Sequence, residues 1–155
     1  MLKKLFAPGD DSCLTSAALL TLRLWLGLTM LLNHGLGKLT GFSTLAAKFG
    51  DPLGIGPSAS LALAVFAEFF ASILLVLGLV TRFAALVLAV NMTVAFFIAH
   101  KGALSGSHSG ELAFIYLGGY VMLLLAGAGR ISLDKSLFGG GGKAGAPPAK
   151  QGAVR

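Results

Sequence analysis

A single carboxylate lies inside one of the most apolar stretches of the sequence. Glu68 occurs within ALAVFAEFFASILLVLGLVTR, residues 62 to 82, where its neighbours are almost all apolar or small. A charged side chain at the centre of a bilayer costs on the order of 3 kcal/mol unless a partner or a proton neutralises it, and such residues usually serve a function. Glu68 therefore predicts a polar partner inside the membrane or a site that exchanges a proton.

Two residues at similar depth are the expected partners of Glu68. At about 1.5 Å per residue, Arg23 in the first apolar run and Asn91 in the third lie near the level of Glu68 in a hydrocarbon core about 30 Å thick. We expect Arg23 to form an ion pair with Glu68, and Asn91 to add a hydrogen bond. Such a pair either only holds helices together, or manages a proton beside a bound redox molecule, with Arg23 controlling how readily Glu68 ionises.

Further polar residues extend this predicted site toward the outer surface. His34 follows Arg23 on one stripe of the first helix, and His100 closes the third apolar run. Tyr116 and Tyr120 are four residues apart and so share a face of the fourth helix. Polar side chains around a buried acid suit an amphipathic redox molecule, and a quinone is the expected cofactor. The hypothetical pocket comprises Asn91, His34, His100, Tyr116 and Tyr120, with Glu68 and Arg23 as the groups that handle protons and charge.

A metal site is a weaker alternative at the same end. His34, His100, His108 and Glu111 supply imidazole and carboxylate groups, which suit zinc, copper or iron. Their arrangement in NHGLGK (33 to 38) and HKGALSGSHSGE (100 to 111) has no recognised ligand spacing, so no metal is expected.

The elements that must position these residues are membrane helices. The mean hydropathy is +0.85 and only 12% of the residues are charged, values typical of an integral membrane protein. Four apolar runs, at residues 15–32, 59–80, 83–99 and 112–128, predict an all-α integral membrane four-helix bundle. The bundle would occupy residues 15–138, between an N-terminal segment at 1–14 and a disordered basic tail rich in Gly, Ala and Pro at 139–155.

The distribution of basic residues predicts the orientation of the bundle. With four crossings, most of the Lys and Arg residues outside the apolar runs fall on the side of the two termini, among them Arg82 and Arg130, whereas Lys38, Lys48 and Lys101 fall on the other. The positive-inside rule then places both termini in the cytoplasm. This asymmetry explains the net charge of +6, so nucleic acid is not an expected partner.

The single cysteine limits the redox chemistry open to the chain. Cys13 has no second cysteine with which to form an internal disulfide, so a thiol oxidase acting by itself is excluded. A cysteine cluster or an obvious pair of haem-ligating histidines is also lacking. If the chain takes part in catalysis, we expect it to be an oxidoreductase subunit rather than a self-sufficient enzyme.

Several segments together resemble the DoxX family of small four-helix membrane proteins. They are the Arg of the first helix followed by NHGLGK, the AE of the second helix leading to LLVLGLVTR, AHKG, SGELAFIYL and GAGRISLDK. The resemblance covers about residues 17 to 138. The positions that match the family's recurring polar residues are Arg23, Lys38, Glu68, Arg82, His100, Glu111, Arg130 and Asp134.

The resemblance implies a compact bundle in the bacterial inner membrane and a role beside redox enzymes. The family takes its name from a subunit of a membrane thiosulfate:quinone oxidoreductase, and relatives are associated with thiol and oxidative-stress complexes. The leading interpretation is a quinone-linked subunit that contacts lipid and a protein partner. A non-catalytic scaffold for a partner oxidoreductase, and a small-solute channel formed by a homo-oligomer, remain alternatives. Lys38, Arg82, Arg130 and Asp134 are expected to be structural anchors, with Arg82 in a two-residue turn and Arg130 paired with Asp134.

Overall fold

The computed structural model describes residues 12–139, and this part of the chain is helical without any β-strand. Helix α1 consists of an α-helix at Ser12–Met30, a π-helical stretch at Leu31–Gly35 and an α-helix at Leu36–Thr40. The short α2, Phe42–Leu45, and a loop follow. Helix α3 is formed by Pro57–Val65, a π-helical stretch at Phe66–Ala71 and Ser72–Leu77, and α4 by Thr81–Thr93 and a π-helical stretch at Val94–Ala99. Helix α5 is Glu111–Ala126, and α6 is Leu133–Phe138.

Three of these helices are long and apolar enough to cross a bilayer. They comprise Cys13–Thr40, Pro57–Leu77 and Thr81–Ala99, and α5 is a shorter apolar helix. The chain is thus a membrane protein with several apolar helices whose outer faces contact lipid. The main difference from the sequence prediction is that α1 continues to Thr40 instead of ending at residue 32. The N-terminal segment predicted for 1–14 and the tail predicted for 139–155 lie outside the described residues, apart from residues 12–14, which belong to α1, and Gly139.

Small residues allow the helices to pack closely. Helix α1 packs on α3, and α4 packs along α5. Ala84, Ala85 and Ala89 are buried on α4, and a Cβ at Gly119 of α5 would collide with the side chain of Leu26. Close approach through Gly and Ala is the usual basis of packing between membrane helices, because lipid offers no hydrophobic drive for association. Large apolar side chains such as Trp25 and Leu125 remain on the outside.

Asp134 fixes the end of the bundle that contains the α3–α4 turn; this end is called the inner end below, as a label only. Its carboxylate accepts hydrogen bonds from the backbone N–H of Val80 (2.6 Å) and of Thr81 (2.9 Å), and so caps the first turn of α4. Its own N–H donates to the carbonyl of Gly78 at 2.8 Å. The expected pairing of Arg130 with Asp134 is therefore replaced by a helix cap, because the orphan amides of α4 point at the carboxylate. Ser132 caps the start of α6, since its side chain accepts from the N–H of Lys135.

Arg82 also lies in a different place from the one expected. The connection between α3 and α4 runs through Gly78 and Val80, both in left-handed conformation, and Arg82 falls within the first turn of α4. Its Nη2 donates to the carbonyl of Leu125 at 3.2 Å. The cation thus binds the last turn of α5, where the helix dipole favours positive charge.

Replacing Asp134 by Ala is expected to lower the free energy of unfolding by about 1–2 kcal/mol, the usual cost of losing a helix cap. Asp134→Asn is the matched control, because its amide oxygen still accepts one hydrogen bond and should retain about half of that free energy. Denaturation of the purified protein in detergent measures both values. Equal losses for the two variants would contradict the cap.

The loop between α2 and α3 lies at the opposite end of the bundle, labelled the outer end, and this outer loop contains a comparable cluster around Asp51. Its carboxylate accepts from the hydroxyl of Ser60 (2.7 Å) and from the N–H groups of Gly56 (2.8 Å) and Ile55 (3.1 Å). These hydrogen bonds, that of Ser60 first and that of Gly56 next, lower the pKa of Asp51 below its ordinary value of 3.8. The ionised side chain therefore ties the loop to the start of α3.

This lowered pKa predicts a loss of stability in acid. A carboxylate with a lower pKa in the folded state stabilises the fold above its unfolded pKa and ceases to do so as the pH falls through the folded value. The melting temperature of the wild type should thus drop below about pH 4, and Asp51→Asn should reduce that drop. Thermal unfolding between pH 3 and pH 6 checks this, and identical pH profiles would contradict it.

Candidate functional site

Glu68 lies where α1 and α3 touch, near the middle of α3. It belongs to the π-helical stretch Phe66–Ala71, and Gly35 belongs to the π-helical stretch of α1. A Cβ on Gly35 would overlap the backbone carbonyl of Glu68, so the two backbones are in direct contact and only glycine fits. π-helical turns are rare and occur frequently at functional sites. The crossing therefore sets the depth at which the buried carboxylate sits.

Both oxygens of the Glu68 carboxylate are bound by polar side chains. Lys38 Nζ lies 2.5 Å from Oε2 in an ion pair, and Asn91 Nδ2 donates to Oε1 at 3.2 Å. The side chain of Glu68 is 8% exposed and that of Lys38 23%. The hydrogen bond expected from Asn91 is thus present, and the charge of the acid is balanced by a partly exposed lysine.

The expected ion pair between Arg23 and Glu68 was wrong, because the cation that pairs with Glu68 is Lys38. The guanidinium of Arg23 lies against Gly78, just beyond the inner end of α3, whereas Glu68 is nearly three turns away, or about 15 Å along the helix. The wrong partner was predicted because α1 is longer than expected. Because this helix does not end at residue 32, Lys38 is still helical and one turn beyond His34, on the side that faces α3.

Arg23 occupies a separate buried site at the inner end. It is 1% exposed, and its Nη2 donates to the carbonyl of Ile131 at 2.5 Å. Within residues 12–139, no partner is found for its Nε and Nη1. A Cβ on Gly78 would overlap the guanidinium. Arg23 thus holds the segment before α6 against the α3–α4 turn, next to Asp134.

A cavity of about 600 Å³ opens between α3 and α4 beside the carboxylate. Among the described residues that line it, the polar side chains are those of Glu68, Asn91 and Ser60, and the rest are apolar or glycine. The outer loop covers one end, with Phe49, Pro52 and Leu53. The volume is that of a typical small-molecule site, and a few convergent polar groups in an apolar wall are the usual composition of one.

The other residues of the predicted pocket lie apart from this cavity. His34 packs edge-on against Tyr116, with ring centroids 6.2 Å apart, and Tyr116 stacks on Tyr120 at 5.8 Å. None of the three lines the cavity. The hydroxyl of Tyr120 is buried without a partner among the described residues. Of the predicted pocket residues, the structure brings Asn91 to the cavity and gathers His34, Tyr116 and Tyr120 into an aromatic cluster.

The remaining candidates lie at the outer end. His100 Nδ1 is 3.1 Å from the carbonyl of His108, a contact that closes the loop before α5. Glu111 begins α5, and its N–H donates to Ser109 Oγ. In the described part of the chain, no three His, Cys, Asp or Glu side chains come close enough together to hold a metal ion.

Lys38 and the cavity are the features that sequence reasoning missed. Lys38 was identified only as an anchor, although it continues the stripe of Arg23, Gly27 and His34 by one more turn of four residues. The polar sequence NHGLGK suggested a loop, and its glycines obscured the helix.

Comparison with known proteins then decides the family. A DoxX family model matches residues 18–101. The chain belongs to the DoxX family. It is also similar to an uncharacterized protein of Haemophilus influenzae, with 36% identity over 118 residues that cover 70% of this chain and 83% of the relative. No solved structure matches at a significant level. The DoxX match spans α1, α3 and α4, and so contains Lys38, Glu68 and Asn91.

The ion pair in this DoxX protein is open to a direct test. Lys38→Met leaves a mostly buried carboxylate without its cation and should lower the free energy of unfolding by about 1–3 kcal/mol, less than the 3–5 kcal/mol of a fully buried pair because Lys38 is partly exposed. Glu68→Gln should cost less, since an amide keeps the hydrogen bond to Asn91. In the double variant, most of the loss from Lys38→Met should be recovered.

Unfolding of all four proteins in the same detergent provides the double-mutant cycle. Additive losses would show that Lys38 and Glu68 do not interact.

Proposed function

We propose that this DoxX protein is a subunit of a membrane redox system, and that it binds a quinone between α3 and α4. The observation that carries the proposal is the cavity beside Glu68. It combines an apolar wall, suited to a hydrocarbon tail, with one carboxylate and one carboxamide, suited to a polar headgroup. Family membership supports the redox context, because the resemblance implies neighbouring oxidoreductases.

The residues at and beside the cavity would each have a separate role in binding the quinone. Asn91 uses one N–H for Glu68 and retains a second N–H and its carbonyl for a ligand. Glu68 would accept and release a proton at its carboxylate, and Lys38 would balance the negative charge of the carboxylate. The apolar wall excludes water from the headgroup. A bound quinone would supply the two-electron, two-proton chemistry, and a protein partner would deliver or remove the electrons, because the single Cys13 cannot.

We further propose that α5 is a fourth span and that both termini face the cytoplasm. Helix α5 has 16 residues, or about 24 Å of length, which is shorter than a hydrocarbon core about 30 Å thick. Local thinning of the bilayer or snorkelling of flanking residues can accommodate the difference. Arg82 and Arg130 lie near the α3–α4 turn end, whereas Lys48 and Lys101 lie in the loops of the opposite end. The positive-inside rule assigns the first end to the cytoplasm, in the inner membrane of a bacterium.

A second candidate function is that of a scaffold that docks an oxidoreductase and binds no quinone. Both carboxylate oxygens of Glu68 are already hydrogen-bonded within the chain, as a purely structural fastener requires. In that case the cavity would hold lipid, and the polar core would only fix the packing of the helices.

Quantifying quinone extracted from the gently purified protein distinguishes the two. The proposal expects about one quinone per chain in the wild type, and at least a tenfold loss in Asn91→Leu, which removes both free polar groups of that side chain. Ser72→Ala is the matched control, since Ser72 is buried on the same helix as Glu68 but does not line the cavity. A stable co-purifying protein without quinone would favour the scaffold.

A further inference from the structure

One face of α1 carries a polar residue into lipid. The face consists of Thr21, Leu24, Trp25, Leu28, Thr29, Leu32 and Asn33, which line a shallow groove of about 390 Å³. Trp25 is 72% exposed, and Asn33 is exposed as well. Among the three long apolar helices, α1 has the smallest fraction of buried residues. This groove face of α1 is therefore available to another helix.

Asn33 lies close to the middle of the bilayer. It stands two residues before Gly35, whose backbone touches Glu68, and Glu68 stands near the middle of the 21-residue α3. A helix of that length matches a hydrocarbon core about 30 Å thick. The carboxamide of Asn33 is thus within about one helical turn of the bilayer centre, where no water or headgroup can satisfy it.

The other polar side chains of the groove face are already satisfied. Thr21 Oγ1 donates to the carbonyl of Ala17 at 3.0 Å, and Thr29 Oγ1 donates to the carbonyl of Trp25. Asn33 differs, because no described residue supplies a hydrogen bond to its side chain. A free carboxamide in hydrocarbon is unfavourable, so its position indicates that a partner covers it.

We propose that the groove face of α1 is the interface of a homodimer in which Asn33 binds Asn33 of the second copy. A carboxamide carries both donor and acceptor groups, so two copies related by a two-fold axis form reciprocal N–H to carbonyl hydrogen bonds at one spot. An isologous interface requires such self-complementarity. Polar side chains that bond across helices, flanked by residues that interdigitate, are a common basis for association in membranes. A ridge of side chains runs along this face at every fourth residue and can interdigitate with the second copy; it consists of Thr21, Trp25, Thr29 and Asn33.

The interface leaves the cavity free, because no residue of α1 lines the cavity. The dimer would thus present two separate cavities to lipid. The inference is independent of the proposed function, since it rests on Asn33 alone and not on what occupies the cavity.

Dimerisation can be measured in dilute lipid vesicles by single-molecule photobleaching. The full chain carries Cys13→Ser and a dye at Ser107→Cys, an exposed site in the outer loop. We expect the wild-type interface to give dimers, and Asn33→Leu to weaken dimerisation about tenfold, as the loss of two interhelical hydrogen bonds predicts. Asn33→Gln should remain within about threefold of the wild type, because it keeps both polar groups.

Disulfide formation locates the interface. In the Cys13→Ser background, Thr29→Cys, one turn from the intact Asn33 on the groove face, should cross-link two copies upon oxidation, whereas Val90→Cys, at an exposed position on α4, should not. The proposal is overturned if the wild type stays monomeric, if Asn33→Leu dimerises as well as the wild type, or if Val90→Cys cross-links in place of Thr29→Cys. It is equally overturned if Asn33 proves to hold a different protein while the chain itself is monomeric.

Discussion

The backbone contact between Gly35 and Glu68 is the constraint on which the rest of the polar interior depends. Two helices can approach this closely only where one of them lacks a Cβ, and here the contact brings α1 to the level of the buried carboxylate. Lys38, one turn further along α1, then reaches one carboxylate oxygen, and Asn91 reaches the other from α4. A wider crossing would leave the carboxylate in hydrocarbon without its cation.

Within residues 12–139, the two buried charged side chains, Glu68 and Arg23, are stabilised in different ways. Glu68 lies at mid-depth, is paired with a side chain of opposite sign, and borders a cavity. Arg23 lies at the inner end, donates to a backbone carbonyl, and has Asp134 nearby. The first arrangement leaves polar groups for a ligand, whereas the second closes one end of the bundle. This division explains why the cavity opens toward the outer half of α3 and α4.

The sequence was sufficient to predict an all-helical membrane protein but not the pairing of its charges. Apolar runs identified each long helix, and Glu68 and Asn91 were recognised as partners because depth along two separate helices is simple to count. The partner of Glu68 was misassigned because helix ends are poorly marked. Gly35 and Gly37 resemble loop residues, although Gly35 lies within the helix and permits its close packing on α3. The cavity also escaped notice, since a void arises from how helices diverge and no single residue encodes it.

The three π-helical stretches affect how this chain tolerates changes in length. A π turn holds more residues than an α turn, so Phe66–Ala71 could lose one residue and become α-helical with its ladder of hydrogen bonds intact. The two halves of α3 would keep nearly the same faces toward α1 and toward lipid, because the residue lost is the extra one that the wide turn accommodates. The change would be confined to the turn around Glu68, which borders the cavity. Insertions and deletions of single residues, rather than substitutions, are thus a route by which relatives can reshape the cavity without losing the spanning helix.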